Sequence, residues 1–330
     1  MSSNDSSLNV LCESFFTNMR TRYHYYMSQN HIIHYHINAY MNCILVIPTA
    51  FLNFSVIVVL WKTKALRALS NIPIIFLAGW DLLTAVLSQP IFAAYLLYIT
   101  KLKFSCALMG AVKYVSAIVA MTSSFIVVVI TTERYLALFH VFFWSGHITR
   151  KMLFIPLSLI WVIPFVLCIV MYEVKPIAGI AIYTFLILLA ILWISVSYFK
   201  MFKLIRKMQL RVMPRDNGNQ SENDIRSKQA RLSRFTFAIV CLYLVMNIPY
   251  CVSVILLSTV FKDDYYTDAV KWYFATWLMC NSLLNPIVYA WQSPQIGRGL
   301  LRLWRMRKVY AGRSVTYDKN DASKYKTDPV

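Results

Sequence analysis

Asp81 lies nine residues past Ile72 inside an apolar run. If that run is a helix, the carboxylate sits about 13 Å from its start. A carboxylate at such depth needs a cation, a proton or several hydrogen-bond donors, and intramembrane charge of this kind usually marks function. Asn53, Ser123, Asn281, Ser282 and Asn285 fall at comparable depth in other apolar runs. One shared polar cavity would satisfy all of them. Only one other of the 14 acidic residues stands inside an apolar run, Glu133 of Glu133-Arg134-Tyr135. That pair either terminates a helix at the interface or, through the reach of Arg134, works as a latch. Lys113 precedes Arg134 by 21 residues, about 31 Å along a helix. It either snorkels to the surface or faces a bundle and draws in an anionic group. Finally, Asn285-Pro286-Ile287-Val288-Tyr289 puts a polar, helix-breaking pentad into the last apolar run. Such groups are costly in hydrocarbon unless neighbouring helices satisfy them.

Other chemistries are not supported. The chain lacks paired carboxylates, a His/Cys set at metal-ligand spacing and a nucleophile elbow, so no enzyme is expected. His31, His34 and His36 read as solvated residues and not as a metal cluster. A net charge of +19 could signal nucleic acid. Its placement argues otherwise, because the basic residues flank apolar runs and do not line one soluble face.

The elements that must position these groups follow from hydropathy. Apolar residues make up 58% of the 330 and charged residues only 14%, too few to cover a soluble domain of this size. A span needs roughly 20 apolar residues, and seven runs qualify: about 40–61, 72–98, 105–133, 152–172, 177–202, 234–258 and 269–292. The expected fold is an all-α membrane protein, a seven-transmembrane helix bundle with a short amphipathic eighth helix. The expected organisation is an extracellular tail over 1–39, the bundle over 40–292, the amphipathic helix over 293–305 and a disordered cytoplasmic tail over 306–330.

With the N-terminus outside, inner connections hold 25 Lys and Arg and outer ones 7, which fixes that orientation and a cytoplasmic tail. Residues 1–39 lack the apolar core of a cleavable signal, so the first span serves as its own insertion signal. Asn4-Asp5-Ser6 is then a glycosylation acceptor on the outer side. Five cysteines fall inside spans, leaving Cys12 and Cys106 as the two that could meet outside. Ser293-Pro294 reads as a cap followed by proline at the first helical position. Ile296, Leu300, Leu301 and Trp304 then share one face along the inner membrane surface, with Gly297 and Gly299 expected to weaken the helix. The tail offers Ser314, Thr316, Ser323 and Thr327 as phosphate acceptors.

Over roughly residues 40–304 the chain resembles the rhodopsin-like (class A) G protein-coupled receptors. The resemblance rests on Asn53 and Val56 in the first span, Leu77-Ala78-Gly79-Trp80-Asp81-Leu82-Leu83 in the second and Glu133-Arg134-Tyr135 in the third. Trp161, Tyr198, Pro249 and Asn285-Pro286-Ile287-Val288-Tyr289 follow in the remaining four. It implies a plasma-membrane receptor that passes extracellular ligand binding to heterotrimeric G proteins by outward movement of the sixth helix. In that scheme Glu133, Arg134, Tyr135, Tyr198, Asn285, Pro286 and Tyr289 form the coupling switch. Asp81, Ser123, Asn281 and Asn285 match positions that hold an allosteric sodium ion, and no other metal or cofactor is implied. Arrestin, a receptor kinase and membrane lipids are the further implied partners, with no nucleic acid among them.

The chain also departs from the family pattern. Asn247 stands where tryptophan is usual, Tyr243 where phenylalanine is, Ala190 where the fifth span has proline, and Gln229 where an acid often pairs with Arg134. The second outer loop, roughly Tyr172 to Pro176, is short and has no cysteine, a feature that is similar to melanocortin receptors. Ser116 replaces the aspartate of amine receptors and Met279 the retinal lysine of opsins, so neither a monoamine nor covalent retinal is expected. Lys113, Ser116, Tyr95 and Trp272, with Phe92 and Tyr273 nearby, are the expected ligand pocket, suited to an anionic lipid, acid or peptide. The competing readings are a non-signalling heptahelical ligand-binding or scavenger receptor, and a transporter. The second lacks the internal repeats such folds show.

Overall fold

The computed structural model describes residues 29–63, 69–101, 103, 105–140, 149–170, 176–210, 237–253 and 265–313, and nearly all of them are helical. Eight helices follow in order: α1 (Gln29–Lys62), α2 (Ile72–Thr100), α3 (Cys106–Phe139), α4 (Arg150–Ile169), α5 (Pro176–Leu210), α6 (described over Phe237–Ser253), α7 (Tyr265–Gln292) and α8 (Pro294–Arg313). A single 3₁₀ turn, Leu69–Asn71, leads into α2. Five of these, α1 to α5, are long and apolar enough to cross a membrane on their own.

Burial runs opposite to a soluble protein. Ile47 is 75% exposed and Ile44 71%, while Asp81 and Asn53 are wholly buried. Along α4, Ile155, Leu159 and Val162 are exposed, and along α5 Phe185, Leu192 and Phe199 are. An exterior of large apolar side chains around an interior holding carboxylate and amide groups is the pattern that hydrocarbon solvent selects. Pro48, Pro156, Pro164 and Pro286 sit inside helices, which is tolerated where neighbours satisfy the freed carbonyls.

α1 packs on α2, α7 and α8, α3 packs on α2, α4 and α5, and α7 closes back on α2. Two apolar layers divide the interior. The layer at the α8 end joins Val56, Leu77, Ile130, Ile194, Val240 and Tyr289. The layer at the opposite end, where Lys113 lies, joins Tyr35, Phe92, Leu96, Met109 and Met279. α2 changes winding in its middle: Thr84–Ser88 is a π segment in which the Gln89 N–H bonds the Thr84 carbonyl, and Pro90 follows. Proline has no N–H to give the regular ladder, and a wider turn absorbs that loss.

Several boundaries differ from those read in the sequence. α1 begins at Gln29, inside the segment expected to be tail. Its polar first turns are invisible to hydropathy, yet Asn38 and Asn42 are buried in contact with α7. α3 runs to Phe139, α5 to Leu210 and α8 to Arg313, past the expected ends at 133, 202 and 305. Ser105 caps α3 by accepting the Leu108 N–H at 3.3 Å, and Ser293 caps α8 by accepting that of Ile296 at 3.4 Å.

The α8 glycines need a different account from helix weakening. A Cβ on Gly299 would meet Val59 Cγ1 at 2.5 Å, and one on Gly297 would meet the Ala290 carbonyl oxygen at 2.7 Å. They are the points where α8 touches α1 and the end of α7. Ile296 and Leu300 bury there, and Trp304 stacks on Phe51 with ring centroids 5.9 Å apart. Leu301, expected on the same face, is exposed. Cys106 is disulfide-bonded while Cys43, Cys168, Cys241, Cys251 and Cys280 are free. Cys12, Asn4, Gln229 and the tail acceptors from Ser314 onward lie outside the described residues.

Candidate functional site

The centre of the bundle is built by the proline of α7. Pro286 has no N–H, so the carbonyl four residues earlier, that of Ser282, loses its helical donor. Asn53 of α1 supplies the replacement: its Nδ2 donates to the Ser282 carbonyl at 2.8 Å and to the Thr49 carbonyl at 2.9 Å. One turn along α7, Asn285 Nδ2 donates to Asp81 Oδ2 at 2.8 Å. Three helices are thus clipped together by amides aimed at acceptors that apolar neighbours could not serve. Asp81 Oδ1 and Asn281 Oδ1 are both buried and have no hydrogen-bond partner among the described residues. Two hard oxygens, one of them anionic, with the Ser123 hydroxyl lining the adjoining cavity, are a donor set that fits a small monovalent cation. Among the described residues no cluster of three His, Cys, Asp or Glu side chains exists for a transition metal.

At the α8 end, Glu133 and Arg134 are 3% and 1% exposed, and Arg134 Nε donates to Glu133 Oε2. Arg134 is the largest fully buried side chain of the described set. Tyr198 of α5 and Tyr289 of α7 are buried in the same region, and the Tyr198 ring tilts against Phe237 of α6 at 5.6 Å. Tyr135 is only half-buried at the edge of this layer: it stacks on Phe139 at 4.5 Å and leans on Trp193 of α5 at 6.0 Å. The other expected switch residues are buried.

Between the two apolar layers lies a cavity of about 370 Å³. Lys113, Ser116 and Trp272 line it, and Ser116 Oγ is 3.2 Å from Ser88 Oγ of α2. Tyr95 is not in the wall. It stands behind, packed edge-on against Trp272 at 5.7 Å, while Phe92 takes the wall position. Ser123, Asn281 and Ser282 line the same cavity at its deeper end.

Four features carry more than the sequence reading gave them. Asn247 lines this cavity together with Lys113 and Asn281, with its Nδ2 turned to the Tyr243 carbonyl at 2.9 Å. Asn38, Asn42 and Thr276 form a buried triad: Asn42 Nδ2 donates to Thr276 Oγ1 at 2.8 Å, and Thr276 donates to Asn38 Oδ1 at 2.7 Å. The i, i+4 spacing of two asparagines beside an apolar run was the available signal. Close by on the same helices, His34 Nδ1 lies 3.1 Å from the Tyr273 hydroxyl. Gln89 is wholly buried, and neither amide atom has a partner among the described residues.

Comparison with known proteins gives a family and not a close relative. No curated protein matches the chain, so the likeness to melanocortin receptors stays an expectation from the short second outer loop. A family-wide match covers residues 52–176 and 172–289, which takes in the Asp81 centre, the Glu133-Arg134 pair and the α7 pentad. The description matched is the 7 transmembrane receptor (rhodopsin family), and the chain belongs to that family.

Proposed function

We propose that the chain is a plasma-membrane G protein-coupled receptor, N-terminus outside, that transmits ligand binding to a heterotrimeric G protein through outward movement of α6. The observation that carries this reading is the burial of Arg134. An arginine sealed in the cytoplasmic end of the bundle, held by the adjacent Glu133, is costly as a permanent arrangement. It makes sense as one of two packings, with α6 covering it in one and leaving it open in the other. Tyr198, tilted against Phe237 of α6, and Tyr289, buried in the same apolar layer, would brace the open packing. Ligand bound in the cavity biases the balance because α3, α6 and α7 all contribute to its wall. Asp81, Ser123, Asn281 and Asn285 would hold a sodium ion, which supplies a counter-charge for the Asp81 carboxylate when bound. The remaining work belongs to the chain: Asn53 fixes α1 to α7, and Asn285 orients Asp81. Arrestin and a receptor kinase are further proposed partners at the same cytoplasmic face.

Nucleotide exchange on a panel of purified G proteins, with the receptor in lipid nanodiscs, tests the reading. Arg134→Ala is expected to abolish exchange and Glu133→Gln to raise its basal rate severalfold by loosening Arg134. A chain that binds ligand but drives no exchange with any G protein would instead be a non-signalling ligand-binding or scavenger receptor. Asn247, in place of the usual tryptophan, is the observation that favours that second reading.

A further inference from the structure

The wall of the cavity offers a ligand no spare charge. No Asp or Glu is among its described lining residues, and Lys113 is the one Lys or Arg there. That lysine is already engaged by another group of the protein, so it is not a counter-charge held ready for a ligand. A charged ligand of either sign would lose hydration in this wall and gain no dedicated partner, a cost that a neutral molecule escapes.

Hydrogen-bonding capacity is present all the same. Ser88 of α2 and Ser116 of α3 both line the cavity, their Oγ atoms 3.2 Å apart. One hydroxyl donates to the other, which leaves the pair one O–H and several lone pairs. Thr84 and Ser124, in the same wall, instead give their hydroxyl protons to the carbonyls of Trp80 and Ala120. One turn from Ser88, Phe92 supplies apolar surface, and Trp272 stands against it with ring centroids 5.5 Å apart. A small uncharged polar spot thus lies beside an aromatic wall.

Leu188 of α5 connects this space with the bilayer. It lines the cavity and is also 54% exposed. Phe185 and Leu192, three residues before it and four after, are exposed as well, so Leu188 belongs to the outward stripe of α5 that meets hydrocarbon. Ile187, the other described α5 residue of the wall, is buried. An ion would have to shed its water in hydrocarbon to pass there, whereas a neutral lipophile is already dissolved in it.

We propose that the cavity binds an uncharged, mainly apolar molecule taken from the bilayer past Leu188, its hydroxyl bonded to the Ser88–Ser116 pair and its body against Phe92 and Trp272. This rests on the receptor reading of the same cavity and names its ligand class, in place of the anionic class that Lys113 suggests from sequence. The volume of about 370 Å³ suits a single small molecule.

Binding is read as saturable thermal stabilisation of the purified full chain in lipid nanodiscs, without any G protein. Four probes share one octylbenzene body: para-octylphenol, octylbenzene, para-octylbenzenesulfonate and para-octylphenyltrimethylammonium. The phenol is expected to raise Tm saturably with about tenfold higher affinity than octylbenzene, the worth of a neutral hydrogen bond. The two ions are expected to give no saturable shift. In a Ser88→Ala/Ser116→Ala double variant the phenol should fall to the affinity of octylbenzene. The response to octylbenzene itself should persist there, which shows that the cavity is intact. Release of tritiated para-octylphenol into empty nanodiscs reports the route: Leu188→Ala should quicken it severalfold and Leu188→Trp should slow it severalfold. Equal binding of the phenol and either ion would overturn the proposal, as would a hydroxyl advantage that survives the double variant. Release rates indifferent to residue 188, or no saturable response to either neutral probe, would overturn it too. Exchange assays run in parallel keep the two readings apart. Neutral binding without exchange would count against coupling alone, and exchange driven by a charged ligand with no neutral binding would sink this inference alone.

Discussion

Asn53 donates its side-chain amide to the Ser282 carbonyl at 2.8 Å, and that carbonyl is the one Pro286 leaves without a helical donor. Two residues far apart in sequence therefore form a single device. The proline creates an acceptor in the membrane interior, and the asparagine on α1 consumes it. With the proline replaced, the Ser282 carbonyl would hold its own helical hydrogen bond and the Asn53 amide would only add a second to it. Without the asparagine, the Ser282 carbonyl would be left buried and unsatisfied.

A double-mutant cycle tests this dependence. Asn53→Ala alone should destabilise the receptor by about 1–3 kcal/mol, the cost of a buried acceptor left unpaired. In a Pro286→Ala background the Ser282 carbonyl regains its own helical donor, so the same substitution should cost clearly less. A coupling energy of at least about 0.5 kcal/mol, from chemical or thermal unfolding in nanodiscs, is the expected result. Strict additivity would show that the two residues act separately.

The glycines of α8 give a second prediction, in which two similar substitutions should differ. Alanine at 299 meets Val59 Cγ1, the tip of a side chain that can move, whereas alanine at 297 meets the Ala290 backbone oxygen, which cannot. Gly299→Ala should therefore be mild and be rescued by Val59→Ala. Gly297→Ala should detach the start of α8 and find no rescue at position 59. Protease susceptibility of the segment after Gln292 and the emission of Trp304, which stacks on Phe51, both report the detachment.

The sequence made the spans and the depth of Asp81 legible, because hydropathy and helical rise need no knowledge of neighbours. It also showed that Asn53, Asn281 and Asn285 must find partners. It could not show which, since Asn53 reaches a backbone carbonyl on α7 and only Asn285 reaches Asp81. Tyr135 sits directly after two buried residues, and nothing in its position reveals that it is only half-buried, with Phe139 and Trp193 as its ring partners. Tyr95 illustrates the same limit: a π segment in α2 re-aims every side chain beyond Ser88, and Phe92 takes the wall in its place. The start of α1 is not legible because the polar Asn38 and Asn42 are held by hydrogen bonds to Thr276, a contact between distant parts of the chain.

Sodium dependence of stability follows from the Asp81 centre. In the proposed site the ion binds the folded bundle and not the unfolded chain, so NaCl in place of choline chloride should raise Tm saturably. At a hundredfold excess over the dissociation constant the gain is about 2.7 kcal/mol. Asp81→Asn removes the anionic oxygen and should abolish the difference between the two salts, while keeping the hydrogen bond that Asn285 donates. A sodium effect that persisted in Asp81→Asn would place the ion elsewhere or reduce it to general screening.

Gln89 offers a substitution expected to help. Its side chain is wholly buried on α2, just past the π segment, and neither the carbonyl nor the amino group of its amide has a partner among the described residues. Burying an unpaired amide costs about 1–3 kcal/mol, and removing such a group for an apolar one of similar shape is neutral or stabilising. Ala39 of α1 and Phe92 and Ala93 of α2 share the apolar layer next to this position, so leucine would meet compatible neighbours. Gln89→Leu should therefore leave Tm unchanged or raise it, by about 2–4 °C per kcal/mol for a chain near this size. A fall in Tm of several degrees would mean that bound water bridges the amide to the polar residues of α1 and α7. In that event Gln89→Glu, which keeps the acceptor but loses the amino group, would separate the two halves of the amide.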